Sequence, residues 1–375
     1  MWGVISMKSN KELYNEHLER IKKNIAMQKT DRTPIMLHAG AFLLRYAGGK
    51  LCEFVTDNEA AEDKVVNSLK SIGDIDCVIT PVRLPTTSGL AYLSASRVPG
   101  RELKDDAQWQ IDEIGKMTEE DYDVIIDKGW NYFFKDFCEK NLKSSCDDMK
   151  YYGTIADKIA KKYTDAGCVI LTTAVAGGPF TVFSGARTIP KLMRDMHRMP
   201  EKVEAAFDAF MVDKLNDLRK QIREKKPLAV FVGGGRGAGD FLSMKDFDRY
   251  MWKYMKQNID VILEEGSNIY FHLDLDWSRF LDYFLDVPKG RAIFHPDSST
   301  DIFKAKELLG GRMAFMGDVA PSLLSLGTPD EVYDYSKKLV DEFSSQGFFM
   351  AAGCCVPPNS KPENVKAMIA AAMGK

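Results

Sequence analysis

Eight short apolar runs constrain the fold of this chain more than any other feature. They are Ile35–Gly40, Cys77–Pro81, Cys168–Ala174, Leu228–Gly233, Ile269–His272, Ala292–Asp297, Met313–Asp318 and Phe348–Gly353. Each is continuous rather than alternating, as strands buried on both faces are. Helix-like stretches separate most of them. Thr328-Pro-Asp-Glu331 has capping-box spacing with Pro at the first helical position, and Val332, Tyr335, Leu339 and Phe343 follow on one face. Residues 244–265 and 300–309 read similarly, and Ser360-Lys-Pro-Glu363 opens a last helix. Strands alternating with helices imply a parallel sheet. Eight such units, with no Gly-rich dinucleotide turn after the first, predict an α/β fold of the closed (β/α)8 TIM-barrel type.

The spacing of the runs sets the expected boundaries. Ser9 and Glu12 form a second capping box, which predicts a helix over 9–27 and an N-terminal helical extension over residues 1–30. The barrel then occupies 31–375, with 82–167 as a helical excursion over its mouth between the second and third strands. No internal repeat or low-complexity linker divides the chain, so one domain is expected.

Charge and cysteine usage narrow the function. A formal charge of −3 and a pI near 6.1 argue against nucleic-acid binding. No stretch approaches the roughly 20 apolar residues of a membrane span, and the apolar leader before Met7 is too short for a signal peptide. The seven Cys include no CxxC pair. That pattern reads as free thiols in a reducing cytoplasm rather than as a disulfide framework.

In a barrel of this kind the chemistry sits at the C-terminal ends of the strands. His38, Asp240, His272, Asp274, His295, Asp297, Asp318 and Cys354 all fall at such ends or just beyond them. Of five His, only His17 and His197 lie on predicted helices. His272 and Asp274 are two residues apart and so project to one face of a strand. With Cys354 they would make a three-donor zinc site with an open position, the arrangement of catalytic zinc. Each residue also has a plainer role: His at a strand end is commonly hydrogen-bonded structure, and Asp there commonly caps the next helix, which is the better account of Asp297 and Asp318. Cys354 and Cys355 are adjacent, so one at most is expected to ligate. His295 and Asp297 are candidates to orient a ligating His or to donate a proton, and His38 to protonate a leaving oxygen. Trp277 belongs to an aromatic series at helical spacing and is the residue expected to touch substrate. The run Gly233–Gly239 contains neither a complete GxGxxG nor a P-loop Lys-Ser/Thr. Close backbone approach explains it better than phosphate binding, leaving Arg236 to meet an anionic substrate or a partner.

From about residue 11 onward the chain resembles the uroporphyrinogen decarboxylase superfamily, in particular its zinc-dependent corrinoid methyltransferase branch. The resemblance rests on Arg20-Ile-Lys with Asp31-Arg-Thr-Pro34, on Phe271-His272-Leu-Asp274, on Gly317-Asp318-Val-Ala-Pro321 with Leu326-Gly-Thr-Pro-Asp-Glu-Val332, and on Gly353-Cys354 with Pro357 and Glu363-Asn364-Val365. It implies a (β/α)8 barrel with zinc at its mouth, held by a His-x-Cys pair and a later Gly-Cys. His272 and Cys354 match that pattern, while Asp274 stands where Cys is usual. A carboxylate in place of a thiolate keeps the charge and hardens the site, which suits polarising an oxygen. The expectation is a methyltransferase that moves a methyl group from an O-methyl donor, such as a phenyl methyl ether, to the cobalt(I) of a corrinoid (cobalamin) on a separate small protein. The alternatives are a methylcobamide:thiol methyltransferase of the coenzyme M type, a uroporphyrinogen decarboxylase-like enzyme, or a small-ligand receptor. The decarboxylase pattern has paired Arg after the first strand. Here that region reads His38-Ala-Gly40-Ala-Phe-Leu-Leu-Arg45, with a single Arg.

Overall fold

The apolar runs become the strands of a parallel ring. The computed structural model describes residues 8–81, 84–113, 115–237, 241–343 and 346–375. Its strands are β1 (Cys77–Val78), β2 (Ala95–Arg97), β3 (Gln110–Asp112), β4 (Val169–Ile170), β5 (Thr172–Ala176), β6 (Ala229–Gly233), β7 (Asn268–Leu273), β8 (Ala292–Pro296), β9 (Ala314–Met316) and β10 (Phe348–Phe349). Six of them, in the order β10-β9-β8-β7-β6-β5, form one parallel sheet. Shorter contacts continue it. Met350 bridges to Ile35 and Met36 to Cys77, both parallel, and β1 pairs with β4. Leu171 joins β4 to β5, accepting from Ala229 N at 3.2 Å while donating to Val78 O at 2.9 Å. Followed bond by bond, the ladder passes through Ile35–Met36, β1, β4–β5, β6, β7, β8, β9 and β10 and returns to its start.

Two separate cores follow from the two-residue period of a strand. Met36, Ile79, Leu171, Tyr270, Ile293 and Phe349 belong to an inner cluster, whereas Leu37, Val230, Phe271, Phe294, Phe315 and Phe348 pack outward against the helices. The first helix (Asn10–Ile25) adds Ile21 and Ile25 to the inner cluster and so covers the N-terminal end of the barrel. Its Asn24 accepts from Gly347 N and Phe348 N and donates to Phe348 O, tying that helix to β10.

Below the strands lies a buried ionic network. Asp76, with no exposed surface, accepts from Arg20, from Arg32 at 2.5 Å and from Ile35 N at 2.8 Å. Arg20 in turn forms a two-point pair with Asp31 (2.7 and 2.8 Å) and Arg32 reaches Asp74 at 2.8 Å. The Arg20 hydrogen bond holds the Asp31 carboxyl down at about 2, against the opposing effect of burial.

Two expectations are corrected. The excursion is not purely helical: besides the helices Glu120–Lys128, Trp130–Asn141 and Lys143–Asp165 it carries a 3-10 turn, Pro85–Tyr92, and the antiparallel ribbon β2–β3. The cysteines are not all free either. Cys138 and Cys146 are joined as a disulfide, because the turn between two excursion helices brings their Cα atoms to 6.3 Å, within the span a disulfide bridges.

Candidate metal centre

Strand β7 carries Tyr270, His272 and, just past its end, Asp274 on the inward-facing row. Loss of the strand's alternation beyond Leu273, with Leu275 at φ 69°, turns the chain away after Asp274. The carboxylate of Asp297 fixes this turn by accepting from Leu275 N at 2.8 Å, and its other oxygen accepts from Ser299 N. Cys354 follows β10, which runs parallel to β7 three strands along the sheet. A side chain at Gly353 would meet Ser298 N at 3.1 Å and the Asp297 backbone at 3.4 Å, so glycine lets this segment close on the β8 loop. One donor atom each from His272, Asp274 and Cys354 then lies within 4.8 Å of the others. Zinc bond lengths put tetrahedral donors about 3.5 Å apart, so the widest pair has roughly an ångström to close.

Hydrogen bonds decide which imidazole nitrogen faces the group. His295 Nε2 lies 2.9 Å from Ala352 O and must donate to that carbonyl. Burial, reinforced by the neighbouring His272, keeps His295 neutral, so its Nδ1 is an acceptor. That Nδ1 is 3.1 Å from His272 Nδ1 and 2.5 Å from the Tyr270 hydroxyl. His272 therefore donates through Nδ1 and presents Nε2 to Asp274, whose Oδ1 is 3.4 Å away. This is the tautomer a metal requires, fixed from behind by a second residue. The donor set fits a divalent ion in charge as well, since one carboxylate and one thiolate together offset 2+. In the absence of a cation, burial alone would lower the His272 pKa, but the Asp274 hydrogen bond and the Cys354 contact outweigh it and push it up to about 9. The Cys355 side chain and burial push the Cys354 thiol up. A positive charge is what these neighbours favour. Replacing His295 with Leu, which removes the acceptor for His272 Nδ1, is expected to weaken zinc binding by about 10- to 100-fold in a competition titration. His295→Gln, which can restore an acceptor, should recover part of that loss.

The other predicted residues divide clearly. His38 stays outside the donor group. It is half-buried, its Nδ1 is 3.5 Å from Cys355 Sγ, and burial keeps it neutral against the opposing effect of Cys354, a state suited to hydrogen bonding rather than to proton donation. Cys355 turns to His38, and Cys354 alone of the adjacent thiols joins the donor group. Trp277, expected to touch substrate, is instead fully buried: its indole donates to Asp274 O at 2.8 Å and its ring packs on Phe247, Phe280 and Phe284. It props the ligand loop from behind. Asp297, considered as an orienter of His272 or a proton donor, gives both oxygens to backbone N–H groups. Arg236, expected to meet an anion or a partner, is already neutralised by Glu113 of the excursion. Asp318 accepts from the Tyr335 hydroxyl at 2.7 Å, and burial raises its carboxyl to about 7. Asp240 lies outside the described residues.

A cavity of about 420 Å³ opens beside Cys355, walled by His38, Thr80, Ser88, Gln108, Trp109 and Pro357 among others. No Lys or Arg is among its described lining. Residues 88, 108 and 109 come from the excursion, and periodicity gave no signal for them. Tyr270, by contrast, was readable as the residue two before His272.

Comparison with known proteins agrees with the fold. A methyltransferase from Methanosarcina mazei superposes with a TM-score of 0.68 over 95% of this chain and 97% of that one, at 17% identity, a likeness of fold. Uroporphyrinogen decarboxylase of Syntrophotalea carbinolica is 26% identical over 201 residues, covering 52% of this chain and 56% of that protein. The enzyme of the same name from Christiangramia forsetii is 25% identical over 206 residues, with 52% and 56% covered. The chain thus matches these curated relatives over little more than half their length. Residues 138–374 match the family profile described as "Uroporphyrinogen decarboxylase (URO-D)", and with most of its length inside that profile the chain belongs to the uroporphyrinogen decarboxylase family.

Proposed function

We propose that this protein is a zinc-dependent methyltransferase that moves a methyl group from an O-methyl donor, such as a phenyl methyl ether, to the cobalt(I) of a corrinoid carried by a separate small protein. The observation that carries the reading is the His272–Asp274–Cys354 group at the C-terminal end of the strands, with His272 Nε2 directed into it. Zinc held there would supply Lewis acidity at the donor oxygen. Asp274 and Cys354 balance its charge, His295 and Trp277 hold the donors in place, and the uncharged cavity beside Cys355 seats the rest of the donor molecule. The methyltransferase fold of the Methanosarcina protein supports the same class of reaction. In the test, zinc-loaded protein is mixed with free cob(I)alamin and a panel of methyl ethers and methanol, and the loss of the cob(I)alamin absorbance is followed. The expected result is zinc-dependent methylation with at least one ether. Transfer to a thiol acceptor with none from any ether or alcohol would reverse the assigned direction.

The names of the curated relatives favour a second reading, decarboxylation of a porphyrin precursor. Against it, Arg45, the one Arg in the segment after the first strand, is paired with Asp106 at 3.0 Å, and the described cavity wall offers no cation to substrate carboxylates. Decarboxylation that survives complete removal of metal would favour that reading over ours.

A further inference from the structure

Tyr92 ends the 3-10 turn Pro85–Tyr92 of the excursion and is carried into the barrel mouth by contacts from three directions. A side chain at Gly185 would come within 2.3 Å of the Tyr92 carbonyl oxygen and 2.5 Å of its Cβ, so the helix Pro179–Ala186 approaches as closely as glycine allows. The Arg236 guanidinium lies over the phenol ring, 4.7 Å from its centroid, and is itself held by Glu113 and, at 3.4 Å, by Ser184. The hydroxyl lies 3.8 Å from where a Cβ on Gly235 would stand. Gly235 follows Gly234, whose N–H donates to His272 O at 2.9 Å, so the hydroxyl stands beside the end of β7 that carries two of the metal donors. The phenol is half-buried, and its hydroxyl has no hydrogen-bond partner among the described residues. Burial raises its pKa, with the charges of Asp274, Glu113 and Cys354 adding to the effect and that of Arg236 opposing it. At neutral pH it is a neutral O–H donor without an acceptor among the described residues.

We propose that Tyr92 is a catalytic residue whose hydroxyl donates a hydrogen bond to the methyl donor's oxygen as the methyl–oxygen bond breaks, an assignment that rests on the methyltransferase reading. Cobalt(I) of the corrinoid supplies the electron pair for the new bond to the methyl carbon, and the C–O bond breaks with its pair left on oxygen. Tyr92 keeps its proton, and the released alkoxide or phenolate takes one from water. A hydrogen bond that strengthens as charge develops on oxygen accelerates the step rather than merely tightening binding.

The test compares wild type with Tyr92→Phe, which keeps the ring under Arg236. Zinc content, phenol binding to the zinc-loaded protein, and methyl transfer from methoxybenzene and 4-nitromethoxybenzene are measured for both. The expected result is equal zinc, transfer from methoxybenzene reduced by about 10- to 100-fold, a smaller loss with the nitro compound because its oxygen carries less charge, and phenol bound about tenfold more weakly. Equal rates in the two proteins with both donors would overturn the assignment while leaving the methyltransferase reading intact. If wild type transfers no methyl group from either ether, the parent reading is what fails. The phenol measurement then decides for Tyr92: weaker binding in the variant upholds it as an oxygen-binding residue, and equal or absent binding rejects it.

Discussion

Replacing Cys354 with Ser is expected to weaken zinc binding by about 100-fold or more and to reduce methyl transfer in step with the lost occupancy. The substitution exchanges a thiolate, which binds zinc strongly and carries one of the two balancing charges, for a neutral hydroxyl. Folding should be little affected, because Cys354 stands partly exposed at the mouth, outside both core clusters. His272→Ala should lose metal to a similar degree and should also change the pH dependence. In wild type the His272 pKa of about 9 means that zinc must displace a proton, so affinity falls as pH drops below that value, by about tenfold per unit for that proton. The alanine variant lacks this contribution. Cys355→Ser should keep its metal, since that thiol faces His38. Competition with a zinc indicator dye across pH 6 to 9 measures all three. A Cys354→Ser protein that binds zinc as tightly as wild type would mean that another donor had been overlooked.

The second large effect concerns stability and lies at the other end of the barrel. Asp76→Ala is expected to destabilise the fold by about 3–5 kcal/mol, the usual consequence of removing one partner from a buried ion pair. Two guanidinium groups would lose a shared carboxylate, and Ile35 N–H, at the start of the first strand, would lose its acceptor. Asp31 and Asp74 would remain for Arg20 and Arg32, but both are substantially exposed and neither reaches the buried position. Asp76→Asn keeps an acceptor for Ile35 and should cost less. Urea unfolding of the metal-free proteins checks the order wild type, Asn, Ala; a loss under about 1 kcal/mol for Ala would show that the network contributes little.

The barrel was readable because its strands are buried on both faces. Continuous runs such as Ala292–Asp297 mark themselves against polar surroundings, and the two-residue period then assigns Tyr270, His272 and Asp274 to one row. Cys354 could be added because few thiols lie at strand ends. What periodicity could not supply was the depth of each residue and the contacts across the mouth. Trp277 and Phe280 share a helical spacing that says they pack, not whether they pack against substrate or against the loop below it. Asp297 was readable as a cap, but its target, the Leu275 N–H, became visible only when two strand ends were placed side by side. Tyr92, Gln108 and Trp109 belong to a long insertion whose path depends on tertiary packing. The pairing of Cys138 with Cys146 likewise depends on a helix turn that local spacing does not fix.

In the proposed centre, one imidazole, one carboxylate and one thiolate hold a single metal ion at the barrel mouth. Zinc-edge X-ray absorption of the protein loaded with one equivalent of zinc tests this most directly. The expected result is a shell of one sulfur with nitrogen and oxygen in the remaining positions. A shell with two sulfurs, or zinc that remains in solution, would contradict it.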